Sequence, residues 1–102
     1  MRVVALTGDL MDRSRISAAI TDIVFAGEAT ACRGADTVII DLAGHAAVVD
    51  AVRRAAPDAW IVAYGAHVDD ETLARATGDG ADVALPRSRF FRDPGAAIAP
   101  AV

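Results

Sequence analysis

The sequence predicts a single three-layer α/β domain: a five-stranded parallel sheet with helices on both faces. Three observations carry this. The chain has 102 residues, enough for one hydrophobic core and not two. Short apolar runs alternate with stretches of helical periodicity, which implies right-handed βαβ crossovers. The densest run, Asp36-Thr-Val-Ile-Ile-Asp41, is almost wholly apolar and β-branched until it ends in a carboxylate. Such a run reads as a central strand buried on both faces.

The elements follow in order. Arg2–Leu6 is a first strand, closed by Thr7-Gly8. Asp9 to Ile20 places Leu10, Ile16 and Ile20 among the charges of Asp12, Arg13 and Arg15, as an amphipathic helix does. Ile23-Val24-Phe25 is a short second strand. Glu28–Arg33 has room for only a turn or two of helix before Gly34 stops it. Val38–Asp41 is the third strand. His45–Ala56 is the clearest helix, with Val48, Val49, Val52 and Ala56 on one face, an Asp50–Arg54 pair outside and Pro57 at its end. Trp60–Tyr64 is a fourth strand. Asp69, Asp70 and Glu71 set negative charge at the start of the next helix, where the dipole favours it, and Gly78 and Gly80 end it. Val83-Ala84-Leu85 is a fifth strand. Ser88–Asp93 supplies a short final helix, so the domain spans 1–93, and residues 94–102 read as a flexible Ala/Pro tail.

Composition excludes several functions. The hydrophobic fraction is 54%, yet about a quarter of the residues are alanine, so large core side chains are sparse. Formal charge is −4, and all 10 cations are arginine. An acidic chain without a basic run is poorly suited to nucleic acid or to anionic membranes. The single cysteine, Cys32, cannot staple the fold and suits a reducing compartment; it reads as a small hydrophobe. Val3–Leu6 is too short for a signal peptide or a membrane span. The expected location is the cytoplasm.

In open α/β sheets ligands and chemistry gather at the carboxyl ends of the strands. Those ends carry Thr7-Gly8-Asp9, Asp41-Leu42-Ala43-Gly44, Gly65-Ala66-His67 and Pro86-Arg87-Ser88. With Met1-Arg-Val-Val-Ala-Leu, Thr37-Val-Ile-Ile-Asp41, Ile61-Val-Ala-Tyr and Gly80-Ala-Asp-Val-Ala-Leu-Pro-Arg-Ser, the chain resembles the receiver domain of bacterial response regulators, the CheY-like family, over nearly its whole length. The resemblance implies a flavodoxin-like sheet of order 2-1-3-4-5, here with shortened second and final helices. It implies that Asp41 falls on the phosphorylated aspartate.

The departures from that family bear on mechanism. Thr7 and Gly8 stand where the family has the acidic pair that holds Mg²⁺, leaving Asp9 and Asp41 as candidate metal ligands. Gly65 replaces the hydroxyl residue after the fourth strand, and Arg87 replaces the lysine after the fifth. Mg²⁺ needs more than one carboxylate before water completes its octahedron. Phosphoryl transfer also needs a cation at the phosphoryl oxygens, and guanidinium is a planar fork where the family has a compact ammonium. The expectation is a degenerate receiver that is not an enzyme: a regulatory or protein-interaction module needing no cofactor. Asp41, with Thr7, Gly8, Asp9, Gly65, His67 and Arg87, forms its crevice, and Arg87 is expected to contact Asp41 or lie within its reach. Two alternatives are a phosphoacceptor receiver using Asp41 and a binder of small anions through glycine turns and helix N-termini.

Ala66-His-Val-Asp-Asp-Glu71 is similar to the Ala-His-Pro-Asp-Asp-Glu motif of zinc-dependent sugar-amide deacetylases. A catalytic zinc needs a third protein ligand, and no His or Cys follows His67; His45 lies upstream after a different strand. Helix capping explains the same acids. Phe90 and Phe91, beside an under-covered sheet edge, are the expected interface, for an unidentified protein partner or a homodimer.

Overall fold

The structure, a computed structural model, describes residues 1–66 and 69–99. Five parallel strands form one sheet in the order β2-β1-β3-β4-β5: β1 Val3–Leu6, β2 Val24–Phe25, β3 Thr37–Asp41, β4 Trp60–Gly65 and β5 Val83–Pro86. The fold class and strand order are those expected. β3 lies in the middle, paired with β1 on one side and β4 on the other, and every residue of it is buried. That double burial is why the sequence there is a continuous apolar run and not an alternating one.

Side-chain alternation divides the core in two. Val4, Leu6, Val38, Ile40, Ile61 and Ala63 face a layer that includes Cys32, Val49, Val52 and Ala76. This layer comprises the 3₁₀ turn Ala29–Cys32, helices α2 (Leu42–His45) and α3 (Val49–Ala55), and helix α4 (Asp70–Gly78). Val3, Ala5, Ile39, Val62 and Tyr64 face the other way, onto Ile16, Ile20, Phe90 and Ile98. There α1 (Leu10–Ala19), α5 (Arg87–Arg92) and α6 (Pro94–Ala97) form the cover. Among the described residues no helix is long and apolar enough to cross a membrane.

Several local expectations are corrected. The helix expected over His45–Ala56 is interrupted by a 3₁₀ turn at Ala46–Val48, because α2 starts directly from Asp41 and its axis must be re-aimed before α3 can pack. The segment Glu28–Arg33 is as expected, holding the one 3₁₀ turn Ala29–Cys32 before Gly34, which leaves it at a φ of 76° that suits glycine. Residues 94–99 are a packed extension where a loose tail was expected. Asp93 caps α6 through the Ala96 N–H, and Pro94 and Ile98 are buried. The Trp60 indole donates to the Ala97 carbonyl at 3.0 Å, and the Thr37 hydroxyl to the Ile98 carbonyl at 3.1 Å. These bonds fasten the last turn under the sheet.

Phe90 and Phe91 are corrected with it. Phe90 is fully buried, stacked on Tyr64 with ring centroids 4.7 Å apart, so it offers nothing to a partner. Phe91 is half-buried, edge-on to both rings. The proline-started turn packs against α1 and α5 and is tied to β3 and β4, while β5 at the sheet edge stays half-buried.

At the opposite end of the sheet Arg53 ties loops together. Its guanidinium donates to the carbonyls of Pro57, Ala59 and Gly80 and to Asp82, which also accepts the Ile61 N–H. Gly80 sits at φ 124°, where a Cβ would lie 2.8 Å from the Arg53 Cβ; here only glycine fits.

Candidate functional site

The parallel register brings Leu6 beside Ile40, and therefore the residues that follow, Thr7 and Asp41, beside each other at the C-terminal edge. Asp41 is 6% exposed. Its Oδ2 accepts the Thr7 hydroxyl at 3.0 Å, and its Oδ1 accepts the Ala43 N–H at 3.0 Å as the N-cap of α2. The Thr7 hydroxyl in turn accepts the Asp9 N–H at 3.3 Å. Asp9 is exposed and turned to its own helix: its Oδ1 accepts the N–H groups of Met11 and Asp12, capping α1.

Arg87 does not hydrogen-bond to Asp41. It donates through both terminal nitrogens to Asp12, at 2.8 and 2.6 Å, in a bidentate fork. The Tyr64 hydroxyl adds a third bond to the same carboxylate at 2.9 Å. Asp12 is 1% exposed, so this is a buried carboxylate with three donors. The Arg87 fork holds its carboxyl below the usual range, against the opposing effect of burial, with help from Tyr64. The same contact raises Arg87 further above its ordinary value, with Asp41 the last of the contributing charges. Burial pushes the Tyr64 phenol well above its usual range.

Asp12 is the residue that sequence reasoning missed. The amphipathic pattern puts Asp12 with the solvated charges of α1 and Leu10 with its apolar face; the structure reverses them. Leu10 is 78% exposed and Met11 70%, beside the crevice. The signal was present: Asp12, Ile16 and Ile20 are four residues apart and share the buried face.

The other predicted residues fall as follows. Gly8 borders the crevice with open space where a side chain would stand. Gly65 lies under Leu42 and Leu73, and a Cβ there would already be 3.4 Å from Leu42. His67 lies outside the described residues. Of the zinc-like motif, Asp69 caps α4 through the Thr72 N–H, and Asp70 and Glu71 are exposed in its first turn. Among the described residues no three His, Cys, Asp or Glu side chains are grouped so as to hold a metal. Cys32 is buried against the core, and burial raises its thiol pKa.

No model of a protein family matches the chain, and no curated protein does. Solved structures do. A response regulator from Burkholderia pseudomallei, with a phosphorylated aspartic acid, calcium ion and citrate, superposes with TM-score 0.82 at 14% identity over 96% of this chain and 66% of that one. NtrX from Brucella abortus, in complex with ADP, gives 0.74 at 17% identity over 96% and 27%. A CheY-like protein, tadZ, from Pseudomonas aeruginosa gives 0.70 at 20% over 86% and 87%. The fold is that of a response-regulator receiver domain. The chain spans just under two thirds of the first receiver structure and about a quarter of NtrX. Within this receiver fold, Asp41 closes the central strand and Arg87 follows the last, while the charge that holds Arg87 comes from α1.

Proposed function

We propose that this receiver-like chain is a non-enzymatic regulatory module that works by binding a protein partner, and that Asp41 serves as a structural cap and not as a Mg²⁺-dependent phosphoacceptor. The observation that carries this reading is the engagement of the charged groups of the crevice. Arg87, the cation that would neutralise a phosphoryl group, is clamped by Asp12 with both terminal nitrogens. Asp41 is spanned by Thr7 and the Ala43 N–H, and Asp9 is spent on capping α1. The donor set does not fit Mg²⁺, which favours several hard oxygens in octahedral array. Thr7 supplies a hydroxyl already bonded to Asp41, and the one further carboxylate of α1, Asp12, is neutralised by arginine. Exposed Leu10 and Met11 at the crevice rim offer apolar surface for a partner.

The test is intact-mass spectrometry after incubation with acetyl phosphate and Mg²⁺. The expected result is no Mg²⁺-dependent mass gain. A gain of one phosphoryl group that disappears in Asp41→Asn would instead establish the phosphoacceptor reading.

A further inference from the structure

A groove runs along α4 on the side away from the β5 edge, its far wall being the segment that follows the central strand β3. At the strand ends it begins as an apolar hollow of about 250 Å³ over Leu42, Gly65 and Leu73, with Ala43 and Ala66 at its mouth. It continues as a hollow of about 400 Å³ that shares Leu42 and Thr72 and is walled by Ala46, Ala47 and Ala76. The sequence explains the opening. Gly65 has no Cβ, and one there would meet Leu42, so its absence deepens the hollow. The alanines of α2, of the 3₁₀ turn and of α4 are too short to close the gap between the two walls.

Charge at the groove is one-sided. Asp50 is paired with Arg54 at 3.0 Å and Asp79 with Arg75 at 3.9 Å, so those rims are close to neutral. The uncompensated charge lies at the mouth. Asp69, Asp70 and Glu71 are exposed there and belong to no ion pair among the described residues. Asp69 is engaged as the cap of α4, which leaves Asp70 and Glu71 facing solvent. An apolar hollow bordered by uncompensated carboxylates is complementary to a ligand that is apolar and cationic at once. Both walls are helical, so no strand edge is open to the main chain of an extended peptide, and contact comes from side chains. Asp69–Asp79 flank the groove for about 15 Å, the length of roughly three turns of helix.

We propose that this groove seats a basic amphipathic helix of a partner protein. One apolar side chain of that helix enters the hollow over Leu42 and Gly65, and flanking Lys or Arg side chains meet Asp70 and Glu71. This rests on the reading of the chain as a partner-binding module and gives the partner its chemistry. Leu10 and Met11 lie on α1, in the other helical layer, and take no part.

Titration of the ¹⁵N-labelled chain with a blocked Leu/Lys peptide of about 12 residues, its leucines at helical spacing, tests this. Saturable amide shifts at Leu42, Thr72, Leu73 and Ala76 are expected, and a scrambled peptide of the same composition binds roughly tenfold more weakly. Asp70→Lys combined with Glu71→Lys weakens the helical peptide by about tenfold. Glu28→Lys combined with Asp58→Lys makes the same charge change at exposed positions that do not line the groove, and leaves the affinity within about twofold. Ala43→Met, which crowds the hollow from an exposed position, weakens binding too. Shifts that fail to saturate, equal binding of the scrambled peptide, or equal loss in the two charge variants would overturn the groove. Shifts centred on Leu10 and Met11 would move the partner to α1 and leave only the broader reading standing. A dimer of the free chain in light scattering, lost in the Asp70→Lys and Glu71→Lys variant, would overturn the partner in favour of a second copy; a monomer is expected. Phosphoryl transfer to Asp41 in the mass-spectrometric test removes the broader reading and leaves these shifts in place, so the two failures are told apart.

Discussion

Arg87 grips Asp12 across 75 residues of sequence, with both terminal nitrogens on both carboxylate oxygens. This pair joins the start of α1 to the start of α5 over the end of β4, where Tyr64 completes it. It fixes the receiver-like crevice from within and determines what remains available there for chemistry.

Breaking the pair from its two sides has unequal consequences. Arg87→Gln leaves a buried carboxylate held only by Tyr64 and costs about 2–4 kcal/mol, below the fully buried case because the Arg87 side chain is 40% exposed. Asp12→Asn removes the buried charge itself and costs about 1–2 kcal/mol. The double variant loses less than the sum, since the two residues share one interaction. Urea denaturation of the three variants measures each value.

Stability falls at both ends of the pH scale for different reasons. The folded Asp12 carboxyl titrates below its unfolded value of about 4, so its contribution is present above that pH and is lost as pH falls through the folded value. The folded Tyr64 phenol titrates above its unfolded value of about 10, so its contribution is intact below pH 10 and is lost as pH rises beyond. Tyr64→Phe lessens the alkaline decline, leaving the share of the buried Cys32 thiol, and retains the acid one. Thermal melts between pH 3 and pH 11 (values chosen to bracket about 4 and about 10) show both arms.

Asp41 behaves as a cap. Asp41→Asn retains an acceptor for the Ala43 N–H and costs less than about 1 kcal/mol. Asp41→Ala leaves that N–H and the Thr7 hydroxyl without their partner and costs about 1–3 kcal/mol. Chemical denaturation that ranked Asn as the more damaging change would contradict the capping role.

Two glycines separate backbone need from available space. Gly80→Ala places a Cβ against Arg53 at a left-handed φ and costs about 1–3 kcal/mol. Gly8→Ala meets nothing within 4 Å and leaves stability unchanged within about 0.5 kcal/mol. Their melting temperatures, taken side by side, decide the point.

Much of the fold was legible because burial writes itself into composition. The run Thr37–Asp41 could only be a doubly covered strand, and the alternation of runs and helices fixed the parallel sheet. Helix ends were legible where Asp9 and Asp69 sit as N-caps. The site was less legible. Charged residues on a short helix read as solvated by default, and only the spacing of Asp12 to Ile16 and Ile20 pointed inward. The Phe90 and Pro94 region was misread because an Ala/Pro segment carries no periodicity. Its anchors, Trp60 and Thr37, lie 37 and 61 residues away from their acceptors.

The sequence by itself determined the layers, the strand order through the likeness to a receiver, and the place of Asp41 at the end of the central strand. These rest on local pattern: β-branched runs, caps and turns act over a few residues. Only the tertiary structure decided which cation meets which carboxylate. Arg87 could face Asp41 or Asp12 by position alone. The inward face of α1 selected Asp12, and a buried carboxylate requires donors, which Arg87 supplies as a bidentate fork.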